Sequence, residues 1–155
     1  MDLPFDEIKE IRFSRKKVPI SPELRPMYRI SQITLILHLS STKQTASLLK
    51  LQLFNWGMQN HGRYERLLNL KETGNFPIIS FDPFLNRALN YGVAMGVFIF
   101  NDSTGKFSLT EKGEVFAQSI LKEDVFLEEK NFLTTIKKSL SDKYILQIFK
   151  ERYSS

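Results

Sequence analysis

The stretch from Asp82 to Leu121 constrains the fold more than any other, because its start, turn and stop signals follow one another without slack. Asp82-Pro83 is a helix start, an N-cap acceptor followed by a proline whose fixed φ suits the first helical position. From there Phe84, Leu85, Ala88, Tyr91, Gly92 and Met95 recur at helical spacing on one face, and Asn86, Arg87, Asn90 and Ala94 fall on the other. Val97-Phe98-Ile99-Phe100 is β-prone, Asn101 to Gly105 is turn chemistry, and Lys106-Phe107-Ser108-Leu109 alternates like a returning strand. Thr110 can cap a helix beginning at Glu111, whose charge suits the positive end of the helix dipole. The segment reads as helix, tight hairpin, capped helix.

That order looks like the second half of a winged helix-turn-helix. The expected fold class is mainly α with a small β-hairpin. A winged helix-turn-helix core over 28–121 is preceded by a proline-bearing N-terminal arm (1–27) and followed by a C-terminal helical extension (122–155). The arm holds four of the six prolines, which disfavours a long helix there. Asp6 to Phe13 can form a short helix on Ile8 and Ile11. The basic cluster Arg12, Arg15, Lys16 and Lys17 reads either as a solvated arm or as a segment that docks on a partner or a phosphate backbone.

Within the core, helices are expected over Tyr28 to Leu39, Lys43 to Met58 and Tyr64 to Leu70. Residues 76–81 are extended, and a strand there would add to the hairpin as a third. After Leu121 a helix is expected from Asp124 to Leu140, seamed by Phe126, Leu133, Ile136 and Leu140. Ser141 can cap a last helix bearing Tyr144, Ile145, Ile148 and Phe149, and these C-terminal helices read as a bracket on the core or an oligomerisation element. Two consecutive helices, Tyr28–Leu39 and Lys43–Met58, are apolar nearly all round. A helix of that kind is either central or touches something on its outer side. Beside the plain hydrophobic-core reading, the second helix thus offers a partner-binding surface at Leu51, Phe54, Trp56 and Met58.

The 155 residues suit one domain with extensions and can bury a real core. There is no cysteine, which excludes disulfides, thiolate metal sites and cysteine nucleophiles. The two histidines, His38 in an apolar helix and His61 in a turn, stand at no metal-ligand spacing, and they are too few to serve a Ser/His/Asp constellation. The glycines are dispersed rather than gathered into a phosphate loop; Gly92 and Gly96 fit close packing or a helix end. Glu128-Glu129 reads as a solvated pair on a charged face. No catalytic residue, metal site or cofactor is therefore expected, and the chain does not read as an enzyme. An acidic, proline-bearing start without an apolar run shows no signal peptide, and no stretch is long and apolar enough to span a membrane, so the default compartment is the cytoplasm.

The net charge of +5 invites a nucleic-acid reading, but its distribution opposes one. Residues 1–29 carry +2, 30–81 carry +3 and 122–155 carry +1, whereas 82–121, which would enter a DNA groove, carry −1. The candidate DNA contacts are Asn86, Arg87 and Asn90 on the outer face of the 82–95 helix, matched to adenine and guanine edges, and Lys106 at the wing tip. One arginine and one lysine neutralise few phosphates, although the phosphate term normally dominates affinity.

Residues Arg29-Ile30-Ser31 through Ser47-Leu48-Leu49-Lys50-Leu51-Gln52-Leu53-Phe54-Asn55-Trp56, coupled to Leu109-Thr110-Glu111-Lys112-Gly113, carry a family resemblance over about 28–121. The chain is similar to the small middle components of bacterial three-component ABC systems, as in Lamassu-type anti-phage and anti-plasmid defence. The resemblance implies a non-enzymatic winged-helix accessory subunit that binds an SMC/Rad50-like ABC ATPase and bridges it to a third effector subunit, and it leaves open whether DNA is contacted through the complex. It implies no catalytic residues. The alternative from another class is a DNA-binding transcriptional regulator that uses the same fold as a homodimer.

Overall fold

Ile30, Ile33, Leu35, Ile36 and Leu37 turn apolar side chains to nearly every side of one helix, and this pattern places it at the centre. The structure, a computed structural model, describes residues 25–153; the expected helix over 6–13 and the basic cluster at 12–17 lie outside them. Helix α1 (Arg25–Ser40) packs against helices from both halves of the chain. Its buried hydroxyls stay within the helix: Ser31 donates to Met27 O at 2.8 Å and Thr34 to Ile30 O at 2.7 Å. A polar group so paired can sit in an apolar core.

The helix expected from Lys43 to Met58 is divided. Lys43 and Gln44, in a 3₁₀ turn (Thr42–Gln44), have φ of 55° and 56°, a left-handed conformation that stops a right-handed helix. Strand β1 (Thr45–Ser47) follows, and α2 (Leu48–Met58) begins afresh with Ser47 as N-cap, its Oγ accepting from Lys50 N at 3.1 Å. A three-residue strand is too short for alternation to reveal, which is why the apolar pattern hides it. A second 3₁₀ turn (His61–Arg63) leads to α3 (Tyr64–Leu68) and α4 (Leu70–Thr73), the latter closed by Gly74 at φ +65°.

Strands β2 (Phe98–Asn101) and β3 (Lys106–Leu109) form the expected hairpin. The third strand is β1 rather than the 76–81 segment: the antiparallel order is β1-β3-β2, with Phe107 opposite Ala46 on one side and Phe100 on the other. Residues 76–81 join no ladder, and the Phe76 ring meets Phe149 edge-on at 5.2 Å.

Helix α5 (Pro83–Ala94) starts as read, Asp82 accepting from Phe84 N at 2.9 Å with Pro83 in the first turn. Its buried face, however, is Leu85, Ala88, Leu89 and Gly92. Phe84 and Tyr91, expected on that face, lie about 100° from its centre and are exposed. Gly92 lets the Phe98 ring lie directly on the helix, and Gly96 turns the chain into β2 at φ +82°. In α6 (Glu111–Lys122) Thr110 caps as read, accepting from Gly113 N at 3.0 Å while its hydroxyl donates to Gly96 O at 2.5 Å.

The helix expected over 124–140 is shorter at both ends. Phe126 (φ 54°) and Lys137 (φ 52°) bracket α7 (Leu127–Ile136). The left-handed step at Phe126 lets Val125 and Phe126 both enter the core, the Phe126 ring lying 5.1 Å from Tyr28. Glu129, read as solvated, is buried and accepts a hydrogen bond from Tyr28 Oη at 3.1 Å. Helix α8 (Asp142–Tyr153) is capped by Ser141, which accepts from Tyr144 N at 3.1 Å. One apolar core runs from Met27 on α1 to Ile148 on α8. The C-terminal helices are walls of that core, and they supply the cover that α1 and α2 require.

Candidate interaction surface

Burial removes most of the expected partner-binding surface on α2. Leu51, Phe54 and Met58 are interior, and Phe54 packs against Phe132 of α7 with ring centroids 6.3 Å apart. No partner can touch these three side chains without opening the core. Trp56 alone keeps some exposure, and it is shelved by its own chain: the Arg63 guanidinium lies 4.7 Å from the ring and that of Arg66 5.7 Å. The all-round apolar pattern of α2 reports a central helix, because α7 and α8 return to cover its outer side.

The accessible face lies on α5 and the hairpin. The outer side of α5 divides into two stripes at helical spacing. One carries Phe84, Arg87 and Tyr91; the other carries Asn86, Asn90 and Val93 and borders the hairpin. Between this second stripe and Phe100 and Phe107 runs an open groove of about 600 Å³, lined also by Leu48. No ionisable side chain lines it. Phe100 and Phe107 meet across the ladder as a tilted pair with centroids 4.8 Å apart, and Phe100 remains 43% exposed. The four candidate DNA contacts are thus separated. Asn86 and Asn90 share the groove, whereas Arg87 sits on the neighbouring stripe with its guanidinium 5.2 Å from the Phe84 ring. Lys106 opens β3 directly after the hairpin turn, opposite Asn101, and its ammonium lies 3.3 Å from the Asp142 carboxylate of α8.

Two polar clusters hold this face in place. At the start of α5, Asp82 Oδ2 accepts from Arg29 at 2.6 Å, Gln59 at 3.2 Å and Asn55 at 3.3 Å, while Asp82 N donates to Gln52 Oε1 at 2.9 Å. Burial by itself raises the Asp82 carboxyl, but the Phe84 N–H, the Arg29 guanidinium and the Asn55 amide together hold it below the ordinary aspartate range. Under the hairpin, Asp142 Oδ1 accepts from Ser47 N and Ser47 Oγ, each at 2.9 Å. Buried Lys50 donates to Ser40 O at 2.6 Å. These contacts join α2, α5, β3 and α8 into one frame.

No protein-family model, curated protein or solved structure matches the chain.

Chemistry is correspondingly sparse. Among the described residues no group of His, Asp or Glu is arranged to hold a metal ion. His38 Nδ1 pairs with the Gln44 amide at 2.9 Å, a boundary histidine tied to the adjoining turn, and exposed His61 pairs with Glu128. Among the same residues no helix is long and apolar enough to cross a membrane. The groove residues Val93, Phe100, Phe107 and Leu48 were not singled out by sequence reasoning. No local signal marks them: Phe98 and Phe100 alternate onto the same side of β2, yet Phe98 is buried and Phe100 is exposed.

Proposed function

We propose that the chain is a winged helix-turn-helix protein whose α5–hairpin face binds protein rather than DNA. The reading takes α5 as the recognition-position helix, the β2–β3 hairpin as the wing and β1 as the strand that closes the small sheet. The observation that carries it is the groove beside α5, which is apolar, edged by two carboxamides and free of ionisable side chains. Duplex binding draws its affinity largely from lysine and arginine set against phosphates. On this face Arg87 stacks on Phe84 and Lys106 is engaged by Asp142. An apolar, uncharged groove rimmed by exposed aromatics suits a protein partner instead.

The sequence resemblance supplies the partner class: an SMC/Rad50-like ATPase and an effector subunit, with this chain as the non-enzymatic bridge in a defence complex. The test pairs two measurements on the purified protein. Duplex DNA binding at about 150 mM salt, near physiological screening, is expected to be weak, independent of sequence and unchanged by Arg87→Ala. Co-purification with a co-expressed SMC/Rad50-like ATPase is expected to survive Arg87→Ala and to be lost on Val93→Lys, which places an ammonium in the groove. Tight, sequence-dependent duplex binding that Arg87→Ala abolishes would instead establish the transcriptional-regulator reading.

A further inference from the structure

Along the chain the basic excess is spread over several segments, but the fold concentrates it. Residues 38–50, 104–110 and 137–145 together hold six lysines, no arginine and a single carboxylate, Asp142. Their net charge of +5 equals that of the whole chain, so all the other residues balance to zero.

These distant segments meet at one end of the molecule. Leu133 O accepts from Ser40 Oγ at 3.0 Å and from Lys137 N at 2.9 Å, which sets the C-terminus of α7 against that of α1. Lys50 Nζ reaches Ser40 O from α2 at 2.6 Å. At the start of α8, Asp142 accepts from Ser47 N at 2.9 Å and lies 3.3 Å from the Lys106 ammonium, so β1 and β3 join the same end. Asp102 in the hairpin turn and Glu111 on α6 bound it at the two ends of β3.

Lys50 is buried and Lys106 is held by Asp142. Lys43, Lys137, Lys138 and Lys143 are exposed, and among the described residues none of the four has a carboxylate within ion-pair distance. Helix electrostatics accounts for only part of this. A cation suits the C-terminal end of a helix, where Lys137 follows α7. Lys143 lies in the first turn of α8, where the dipole opposes it. Gathering these ammoniums above a buried fifth costs self-repulsion, which a bound polyanion relieves.

We propose that this end of the molecule binds the phosphate backbone of duplex nucleic acid without regard to sequence. The neighbours of the lysines choose among polyanions. Thr42, Ser139 and Ser141 are exposed beside them, and hydroxyls with lysines are the usual donors to phosphate oxygens. The three segments contain none of the exposed large apolar side chains among the described residues; Leu146, one turn beyond Lys143 on α8, stands at the rim. A protein interface builds its core from apolar and aromatic groups and is depleted of lysine, a membrane surface takes up an apolar face, and a single strand stacks on aromatic rings. One leucine at the rim supplies none of these. The four free lysines line no part of the groove beside α5, so the two surfaces are distinct.

The test is binding of the full chain to a short labelled DNA duplex, followed by fluorescence anisotropy from about 50 to 200 mM salt. Each phosphate neutralised contributes roughly −0.9 to the slope of log affinity against log salt, so four free lysines give roughly −4. Lys137→Gln, Lys138→Gln and Lys143→Gln combined should flatten the slope to roughly −1, with an unchanged far-UV spectrum because all three side chains are exposed. Lys71→Gln with Arg152→Gln, on α4 and at the far end of α8, should leave the slope as it is, and so should scrambling the duplex sequence. Co-purification with the ATPase should survive the triple variant, so this proposal and the groove reading fail separately. Several results would overturn it: no duplex binding at the lowest salt, or an equal loss in the Lys71/Arg152 control. A slope that instead follows Arg15→Gln, Lys16→Gln and Lys17→Gln would do the same. So would tighter binding to the single strand, to polyglutamate or to phosphatidylserine–phosphatidylcholine vesicles than to the duplex.

Discussion

Lys50 is 2% exposed, an unusual place for an ammonium. Its Nζ donates to Ser40 O, at the C-terminal end of α1, where the helix dipole favours positive charge. Burial pushes its pKa down from 10.5 to about 8, with Asp142 opposing the shift and Lys106 adding to it. Below about pH 8 the lysine is charged in both the folded and unfolded chains, and the burial penalty is fully present. Between about 8 and 10.5 the folded protein has released a proton that the unfolded chain still holds, so raising the pH favours the folded state. Relative to Lys50→Met, the protein should gain on the order of 3 kcal/mol of stability across that window. Urea unfolding of both proteins at either end of the window measures it, and parallel pH profiles would show that Lys50 titrates normally. The sequence showed Lys50 only as one basic residue on an apolar helix. That it is buried depends on α8, nearly a hundred residues further along the chain.

Elements began and ended largely where local chemistry dictates. Asp82-Pro83, Thr110 and Ser141 all cap as read, because each cap needs only residues within a turn of itself. Gly113 shows how such a signal can hold a tertiary contact as well. Its amide completes the Thr110 cap, while its Cα lies against the Val97 carbonyl so closely that a methyl group would overlap backbone. At Gly92 the obstructing group is the Phe98 ring, a side chain already fixed in the core. Overpacking of this kind costs about 1–3 kcal/mol. Gly92→Ala should fall in that range and Gly113→Ala at its upper end or beyond, since a carbonyl in the hairpin cannot rotate aside. Thermal unfolding of the two variants gives the order directly. The breaks that local reading missed, at Lys43-Gln44 and at Phe126, are left-handed steps by residues with no strong preference for them. Phe126 takes its step with its ring buried in the core, whereas Lys43 is exposed, and no local pattern announces either break.

At the scale of the molecule, the 28–121 and 122–155 segments unfold as one unit if the shared core is what holds them. Phe132 of α7 stacks on Tyr64 at 4.4 Å and meets Phe54 of α2. Phe132→Ala should destabilise by about 3–5 kcal/mol, the usual range for emptying a buried aromatic site. Trp56, the single tryptophan, sits on α2 and reports the first segment, while far-UV dichroism reports both. The two transitions should move together in the variant. A Trp56 transition that stayed in place while part of the dichroism shifted would divide the chain into two units.

By itself the sequence determined the helical class, the hairpin, the capped helix starts and the near-neutral charge of 82–121, since each follows from residues close together in the chain. Tertiary structure alone decided which apolar residues became core and which became surface. Phe54 and Phe100 are the same side chain in equally apolar runs, yet α7 closes over the first and no described element closes over the second. Burial is set by what distant segments cover, and that information is spread over the whole chain.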